Sequence, residues 1–93
     1  MKPRFVWDAG KAARNMDKHA VSFEEAATVF DDPVFVMFVD EEHSVDEQRY
    51  ITVGLSERGR LLVVAHTERD AQSRIISARK ATKKEEQFYA EAD

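Results

Sequence analysis

Apolar and polar residues alternate along the second half of the chain, and a period of two is typical of β-strands. From Tyr50 onward every second residue is apolar, which puts Ile51, Val53 and Leu55 on one side. Two further apolar runs, LLVVA and IISA, flank a short polar segment, as the strands of a β-hairpin do. The pattern therefore predicts three consecutive strands, over residues 50–56, 60–69 and 74–81.

Three helices are predicted from residues that favour helix N-termini. Asp8 precedes an alanine-rich segment, which predicts a capped helix over residues 9–19. The segments SFEE, from Ser22, and TKKE, from Thr82, are capping boxes, in which a hydroxyl and a carboxylate bind the free amides of the first turn. The helices that they open are expected over residues 23–30 and 83–90.

Two more strands are expected in the first half, at residues 4–7 and in the run VFVMFV at residues 34–39. The element order β-α-α-β-β-β-β-α is typical of an α+β fold, with an antiparallel sheet and helices packed on one side. An acidic loop at residues 40–48 contains His43. This histidine is either a metal ligand beside carboxylates or, more commonly, a solvated loop residue.

Length and composition favour one domain spanning residues 1–93. The chain has no cysteine, no apolar run near the ~20 residues of a membrane span, and no apolar stretch of a signal peptide after Lys2 and Arg4. A cytoplasmic protein is therefore expected. The net charge of −4 conceals segregated blocks, since residues 1–20 and 51–84 sum to +3 and +5, and residues 21–50 and 85–93 to −8 and −4. A local basic face is compatible with these blocks, and so is an ordinary mixed surface.

The two faces of the sheet depend on the loops between its strands. A two-residue turn at Arg58-Gly59 would pair Leu55 with Leu62 and Ile51 with His66, making that face the core. For the next loop, pairing Asp70 with Arg74 buries Ile76 and Ala78 and leaves Ser77 and Arg79 outside. Pairing Arg69 with Arg74 would reverse every side chain of the last strand, which buries less apolar surface. The first register is therefore preferred.

In the preferred register, hydroxyl and guanidinium groups share the outer face, and an acid and an imidazole lie at the sheet edge nearby. The outer group is Thr67, Arg69, Ser77 and Arg79, and the edge pair is His66 and Glu68. Arginine binds phosphate oxygens bidentately and stabilises charge that develops at phosphorus. Cleaving RNA also requires a base, for which His66 and Glu68 are the candidates. The structural alternative is that the arginines form surface ion pairs and His66 is a satisfied edge histidine.

These residues, in this order, resemble the BrnT-type toxins of bacterial type II toxin–antitoxin systems. The resemblance extends over nearly the whole chain and rests on FVWD from Phe5, VSFEEA from Val21, DDP from Asp31, HTER from His66 and RIISARKA from Arg74. Lys11, Asn15, Lys18-His19, Gly54, Arg60, Glu85 and Tyr89 also fit. One departure is Ala20, which stands where a glycine usually follows the histidine.

The resemblance implies a RelE-like toxin fold and a metal-independent endoribonuclease that inhibits translation without a cofactor. It also implies a cognate antitoxin, a ribbon-helix-helix DNA-binding protein through which alone the toxin would reach operator DNA. We expect Arg69 and Arg79 to stabilise the transition state, Thr67 to position RNA, and Glu68 or His66 to act as base. RNA would be steered by Lys80, Lys83, Lys18, Lys11 and Ser77. The competing hypothesis is a non-catalytic binding module, an inactive homologue that serves only as partner or co-repressor of the antitoxin.

Two expectations concern ligands. The apolar residues Leu61, Val63 and Ile75 share the outer face with the arginines in this register, which predicts that the antitoxin covers that surface. No histidine has a partner at metal-ligand spacing, and the acidic loop lacks the pattern of a calcium site. Activity is therefore expected to survive chelation by EDTA.

Overall fold

The computed structural model describes residues 4–92, which form a five-stranded mixed sheet and three α-helices. The strands are β1 (Arg4–Val6), β2 (Val36–Val39), β3 (Arg49–Leu55), β4 (Leu61–Arg69) and β5 (Gln72–Lys80), in the sheet order β1-β5-β4-β3-β2. The helices are α1 (Ala9–His19), α2 (Phe23–Thr28) and α3 (Lys83–Glu91). Within the described residues, no helix is both long and apolar enough to cross a membrane.

All three helices begin at the predicted caps, although the full capping box forms only at Thr82, because the Glu25 carboxylate binds Ser56 and Arg60. The side chains of Asp8, Ser22 and Thr82 accept hydrogen bonds from backbone amides three residues on, at 2.9, 3.0 and 3.2 Å. The second helix is shorter than predicted, because it continues as a 3₁₀ turn over Val29–Asp31. At the end of α1, Ala20 adopts the left-handed conformation with φ 57° that glycine would adopt more easily. The substitution therefore keeps the helix stop and adds backbone strain.

The predicted sheet was wrong in two respects. It is mixed, because β1 pairs with β5 in parallel, whereas the other pairs are antiparallel. The helices also lie on both faces: α2 packs on the side of Leu62 and Val64, and α3 on the side of Arg79. An ion pair from Arg79 and the edge-on contact of Phe88 with Phe38, 5.7 Å between ring centres, hold α3 there.

The predicted pairing of β3 with β4 was wrong by one residue. Ser56 donates its N–H to the carbonyl of Arg60, so the loop has three residues, and Gly59 takes the positive φ of 76° that closes it. Leu55 consequently faces Leu61, and Val53 faces Val63, on the side of α3. A one-residue shift reverses every side chain of a strand relative to its neighbour.

The predicted pairing of β4 with β5 was also wrong. The turn has two residues, Asp70 and Ala71, both with positive φ (51° and 63°). A bulge then inserts Ile76 between the pairs His66–Ile75 and Ala65–Ser77. Ile75 is therefore the buried residue in place of Ile76, while Ala78 is buried as expected.

The main core lies between α2 and the sheet, and it includes Phe23, Val29, Leu62, Val64 and Ile75. Gly54 belongs to this interface, since a Cβ there would lie 2.8 Å from a methyl group of Val29. A buried ion pair closes one end of the core: the Glu25 carboxylate accepts from the Ser56 hydroxyl at 2.7 Å and from the guanidinium of Arg60 at Nε, 2.9 Å. These contacts hold the pKa of Glu25 below its ordinary value, and the hydrogen bond from Arg60 has the largest effect.

Asn15 joins α1 to the free edge of β5 beyond the end of β1. Its side chain accepts the N–H of Ala78 at 3.0 Å and donates to the carbonyls of Ala78 and Val21 at 2.8 and 2.9 Å. The amide therefore completes the hydrogen bonding of β5 as a neighbouring strand would. The Asn15 side chain is accordingly buried, at 6% exposed.

Candidate active site

A row of three polar side chains crosses the sheet on the face that also carries Arg79. Arg49 of β3 pairs with Thr67 of β4, and Thr67 pairs with Arg74 of β5. Residues that pair directly across neighbouring strands point to the same face. Two guanidinium groups therefore flank a hydroxyl, although their positions are 25 residues apart in the chain.

This row forms the floor of a cleft of 440 Å³. Lys11 of α1 and Ile76 of β5 line one wall, and the loop of residues 40–48 forms the other with four polar side chains: Glu42, His43, Asp46 and Glu47. A volume of this size falls within the ~300–1,000 Å³ of typical ligand pockets. The cleft combines cations, carboxylates and an imidazole around one hydroxyl.

The loop that carries His43 is held in place by its own polar contacts. Its ends are joined by the bond from the Asp40 N–H to the Arg49 carbonyl at 2.8 Å. The Ser44 hydroxyl donates to the Asp40 carbonyl at 2.6 Å and accepts the Arg49 N–H at 2.8 Å. Nδ1 of His43 lies 2.9 Å from Oδ2 of Asp40. The carboxylate thus fixes the imidazole in the tautomer that leaves Nε2 for another partner.

The cleft continues as a basic groove between α1 and β5. This groove of 370 Å³ is lined by Lys11, Arg14, Asn15, Lys18, His19, Ile76 and Ser77. Beside the other end of the cleft floor, Arg69 and Gln72 line a smaller pocket of 200 Å³ that shares Thr67 and Arg74. Cations therefore follow one another along a continuous path across the molecule.

The sequence predicts that His66 lies at an edge of the sheet, and this prediction was wrong. The residue is 0% exposed and packs edge-on against Phe30, with 4.9 Å between ring centres. Its Nε2 lies 2.7 Å from the Thr52 hydroxyl, and its Nδ1 lies 2.6 Å from a carboxylate oxygen of Glu68. Burial lowers the pKa of His66 despite that carboxylate, so the ring is neutral, donates from Nδ1 to Glu68 and accepts from Thr52.

Glu68 shares the α2 face of the sheet with His66, opposite the face of Thr67 and Arg69. Its second oxygen accepts from the buried Ser73 hydroxyl at 2.9 Å. The predicted arrangement, with His66 and Glu68 beside the arginine patch, was therefore wrong: the sheet separates the two groups.

Arg79 lies on the expected face but away from the cleft. It lies five positions after Arg74 along β5, about 16 Å at the rise of a strand. Its guanidinium binds both carboxylate oxygens of Glu85, at 2.8 and 2.7 Å. Lys80 and Lys83 lie at this end of β5 and at the start of α3.

The structure thus brings together one part of the predicted set and leaves out the other. Thr67, Lys11, Lys18, Ser77 and Arg69 line the cleft or its two extensions. Arg79, Lys80 and Lys83 lie at the far end of β5, and His66 and Glu68 lie on the other face. Sequence reasoning missed four residues as site members, namely Arg14, His43, Arg49 and Arg74. The correct strand register would have identified Arg49 and Arg74, because each of them pairs directly with Thr67.

Within residues 4–92, no group of three or more His, Asp or Glu side chains is arranged to hold a metal ion. The expected apolar patch of Leu61, Val63 and Ile75 is not formed on the outer face, because Ile75 lies in the core on the α2 side, Val63 is only 6% exposed, and Leu61 is half-buried. The large exposed apolar residues lie mostly on and around β2 instead.

Comparison with known proteins identifies a family and a similar solved structure. Residues 7–85 match the model of the family described as "Ribonuclease toxin, BrnT, of type II toxin-antitoxin system". The chain is also similar in structure to the Brucella abortus ribonuclease toxin BrnT, with a TM-score of 0.67 and 18% sequence identity. That alignment covers 88% of this chain and 100% of the other. No curated protein sequence matches the chain.

Proposed function

The chain belongs to the BrnT family of ribonuclease toxins of type II toxin–antitoxin systems, and we propose that it is an endoribonuclease whose active site is the cleft above Arg49, Thr67 and Arg74. The observation that carries this proposal is the combination, in one cleft, of three cations with the oriented imidazole of His43. These are the groups that phosphodiester cleavage requires.

The reaction would be a transesterification within the RNA. The 2′-oxygen attacks phosphorus and loses its proton to a base, the bond from phosphorus to the 5′-oxygen breaks, and an acid protonates that oxygen. The products are a 2′,3′-cyclic phosphate and a 5′-hydroxyl end. Arg49, Arg74 and Lys11 would neutralise the charge that grows on the phosphoryl oxygens, and such groups act most strongly where the site excludes water.

His43 is the proton-transfer group in this proposal. Asp40 holds Nδ1, so Nε2 is the nitrogen available to substrate. Imidazole exchanges protons efficiently near neutral pH. His66, which the sequence analysis considers as the base, is fully buried and would act only by holding the Glu68 carboxylate in position. Thr67 would position a phosphate oxygen at the floor of the cleft, and Lys18 and Ser77 would guide the strand along the basic groove.

The wider biology follows from family membership as part of the proposal. Cleavage would inhibit translation in the cytoplasm, need no metal ion, and be blocked by the cognate antitoxin. We further propose that the antitoxin is a ribbon-helix-helix protein and that operator DNA is reached through it alone. We also propose that the fold is related to that of the RelE toxins.

The test is cleavage of a fluorescent single-stranded RNA by the purified chain in EDTA. We expect turnover by the wild type, and losses on the order of 10²–10³ in rate for Arg74→Ala and for His43→Ala, with unchanged melting temperatures. Arg58→Ala is the matched control, because its side chain is 67% exposed and remote from the cleft lining. A wild type that binds RNA or antitoxin without turnover would instead support the non-catalytic binding module, and activity restored only by a divalent ion would refute metal independence.

A further inference from the structure

The strand β2 ends the sheet and exposes apolar side chains on both of its faces. Met37 is 48%, Phe38 44% and Val39 37% exposed, and Phe35 just before the strand is 38% exposed. β2 pairs with β3 on one side and is the last strand in the sheet order. Exposed, apolar edge strands pair readily with other chains, and proteins usually protect them. In β2 this protection consists of acidic residues before and after the strand.

The backbone of β2 also offers free hydrogen-bonding groups. The Asp40 N–H binds the Arg49 carbonyl, so Asp40–Arg49 is a hydrogen-bonded pair of the antiparallel ladder. Such pairs alternate along the ladder, which makes Phe38–Ile51 the next one. The intervening residues Met37 and Val39 therefore direct their N–H and C=O groups away from β3. An extended segment of another chain can bind there as a sixth strand.

Charge at the ends of β2 selects the partner. Residues 31–42 contain five acidic residues and no basic one, with Asp31 and Asp32 before the apolar run and Asp40, Glu41 and Glu42 after it. Antiparallel pairing of two copies of β2 would bring the acidic start of one against the acidic end of the other. Like charges side by side oppose that dimer, whereas a segment with basic residues at both ends is attracted.

We propose that the cognate antitoxin adds a strand to β2, through an extended segment with alternating apolar residues and lysine or arginine at each end. This inference rests on the assignment of the chain as a toxin with an antitoxin partner. Strand addition uses backbone bonds for affinity and alternate side chains for specificity. Because β2 runs directly into the loop of Asp40 and His43, the bound segment ends beside the cleft. The antitoxin would thus hold or cover the loop that the proposed reaction needs.

The experiment compares antitoxin binding by two lysine substitutions at methionines of matched exposure. Met37→Lys places a cation on β2, and Met16→Lys places one on α1, where Met16 is 46% exposed. We expect Met37→Lys to weaken antitoxin binding at least tenfold and Met16→Lys to leave it within twofold. Hydrogen exchange of the wild type gives a second readout: the amides of Met37 and Val39 should become protected when antitoxin binds.

Equal binding by both variants, or no gain of protection at Met37 and Val39, would overturn the inference. The inference would also be overturned if these amides were protected in the isolated chain and that chain formed a dimer that Met37→Lys dissociates. The strand added to β2 would then come from a second copy of the chain. RNA cleavage by each free variant is measured in parallel. A chain that cleaves RNA but binds antitoxin elsewhere refutes the docking surface alone, and one that binds antitoxin at β2 without cleaving RNA refutes the ribonuclease proposal alone.

Discussion

Arg79 and Glu85 form a two-pronged ion pair that ties α3 to β5. Each terminal guanidinium nitrogen binds one carboxylate oxygen, and the same carboxylate accepts the N–H of Thr82 at 2.9 Å. The Arg79 side chain, with the amide of Thr82, lowers the pKa of Glu85 from 4.5 to about 2. These contacts favour a structural role for Arg79, whereas the catalytic role expected from the sequence stays a prediction.

The two roles of Arg79 are separated by the variant Arg79→Ala. Because the pKa of Glu85 is lower in the folded chain, its contribution to stability is complete above about pH 4.5 and is lost as pH falls toward 2. Arg79 is 42% exposed, so we expect the substitution to cost only about 1 kcal/mol at pH 7, with the difference from wild type shrinking below pH 4. Denaturant unfolding at several pH values measures this. A loss of 10²–10³ in RNA cleavage without any loss of stability would return Arg79 to the active site.

Single polar side chains complete secondary structure in several places where two elements meet. Asn15 extends the hydrogen bonding of β5, and the Asp32 carboxylate accepts both the Leu55 N–H at 2.8 Å and the Tyr89 hydroxyl. Asp32 thereby links the end of β3 to α3. The position of α1, and with it Lys11 and Lys18 along the groove, depends in the same way on Asn15.

Replacing Asn15 should therefore loosen the contact between α1 and β5. Asn15→Ala leaves the N–H and C=O of Ala78 and the C=O of Val21 without their partner, and buried unpaired groups cost about 1–3 kcal/mol each before water repairs them. We expect a loss of about 2–3 kcal/mol in the free energy of unfolding. Ala13→Leu, an exposed change on the same helix, should stay within ~0.5 kcal/mol. Equal stability of the two variants would show that α1 is held by its apolar contacts alone.

The whole molecule carries a net charge of −4, yet six of its fourteen lysine and arginine side chains line the cleft, the basic groove or the adjoining pocket. Glu42, Asp46 and Glu47 line the cleft from its loop, whereas none of the described residues that line the basic groove is acidic. Local charge, not the sum over the surface, determines the attraction of a charged ligand within a Debye length, about 8–10 Å at physiological salt.

RNA binding should therefore depend steeply on salt despite the negative total. If Lys11, Lys18, Arg49 and Arg74 each contact a phosphate, the logarithm of the binding constant should fall with the logarithm of salt concentration with a slope of about −3. The measurement uses an uncleavable RNA with 2′-O-methyl groups, titrated at several salt concentrations. Arg74→Ala should reduce the slope by about 0.7, and Arg58→Ala should leave it unchanged. A slope near zero would contradict an electrostatic groove.

The sequence by itself determined the helices, most strands and the family. Caps at Asp8, Ser22 and Thr82 involve groups within three residues of one another, so their consequences can be deduced locally. The apolar alternation likewise located β3, β4 and β5. The resemblance to BrnT toxins, drawn from ordered motifs, was confirmed by the family match over residues 7–85.

Only the tertiary structure decided which side chains meet. Which side chains share a face of the sheet depends on the length of the loop before Arg60, where one residue more or less shifts the strand register, and on a bulge at Ile76. Neither feature has a strong signal in the local sequence. That register puts Arg49 and Arg74 beside Thr67 and sends His66 into the core. The loop of His43 closes over this row through Ser44 and Asp40. The cross-strand pairs of this row join residues far apart in the chain, and their geometry is determined by the packing of the whole sheet, not by any single segment.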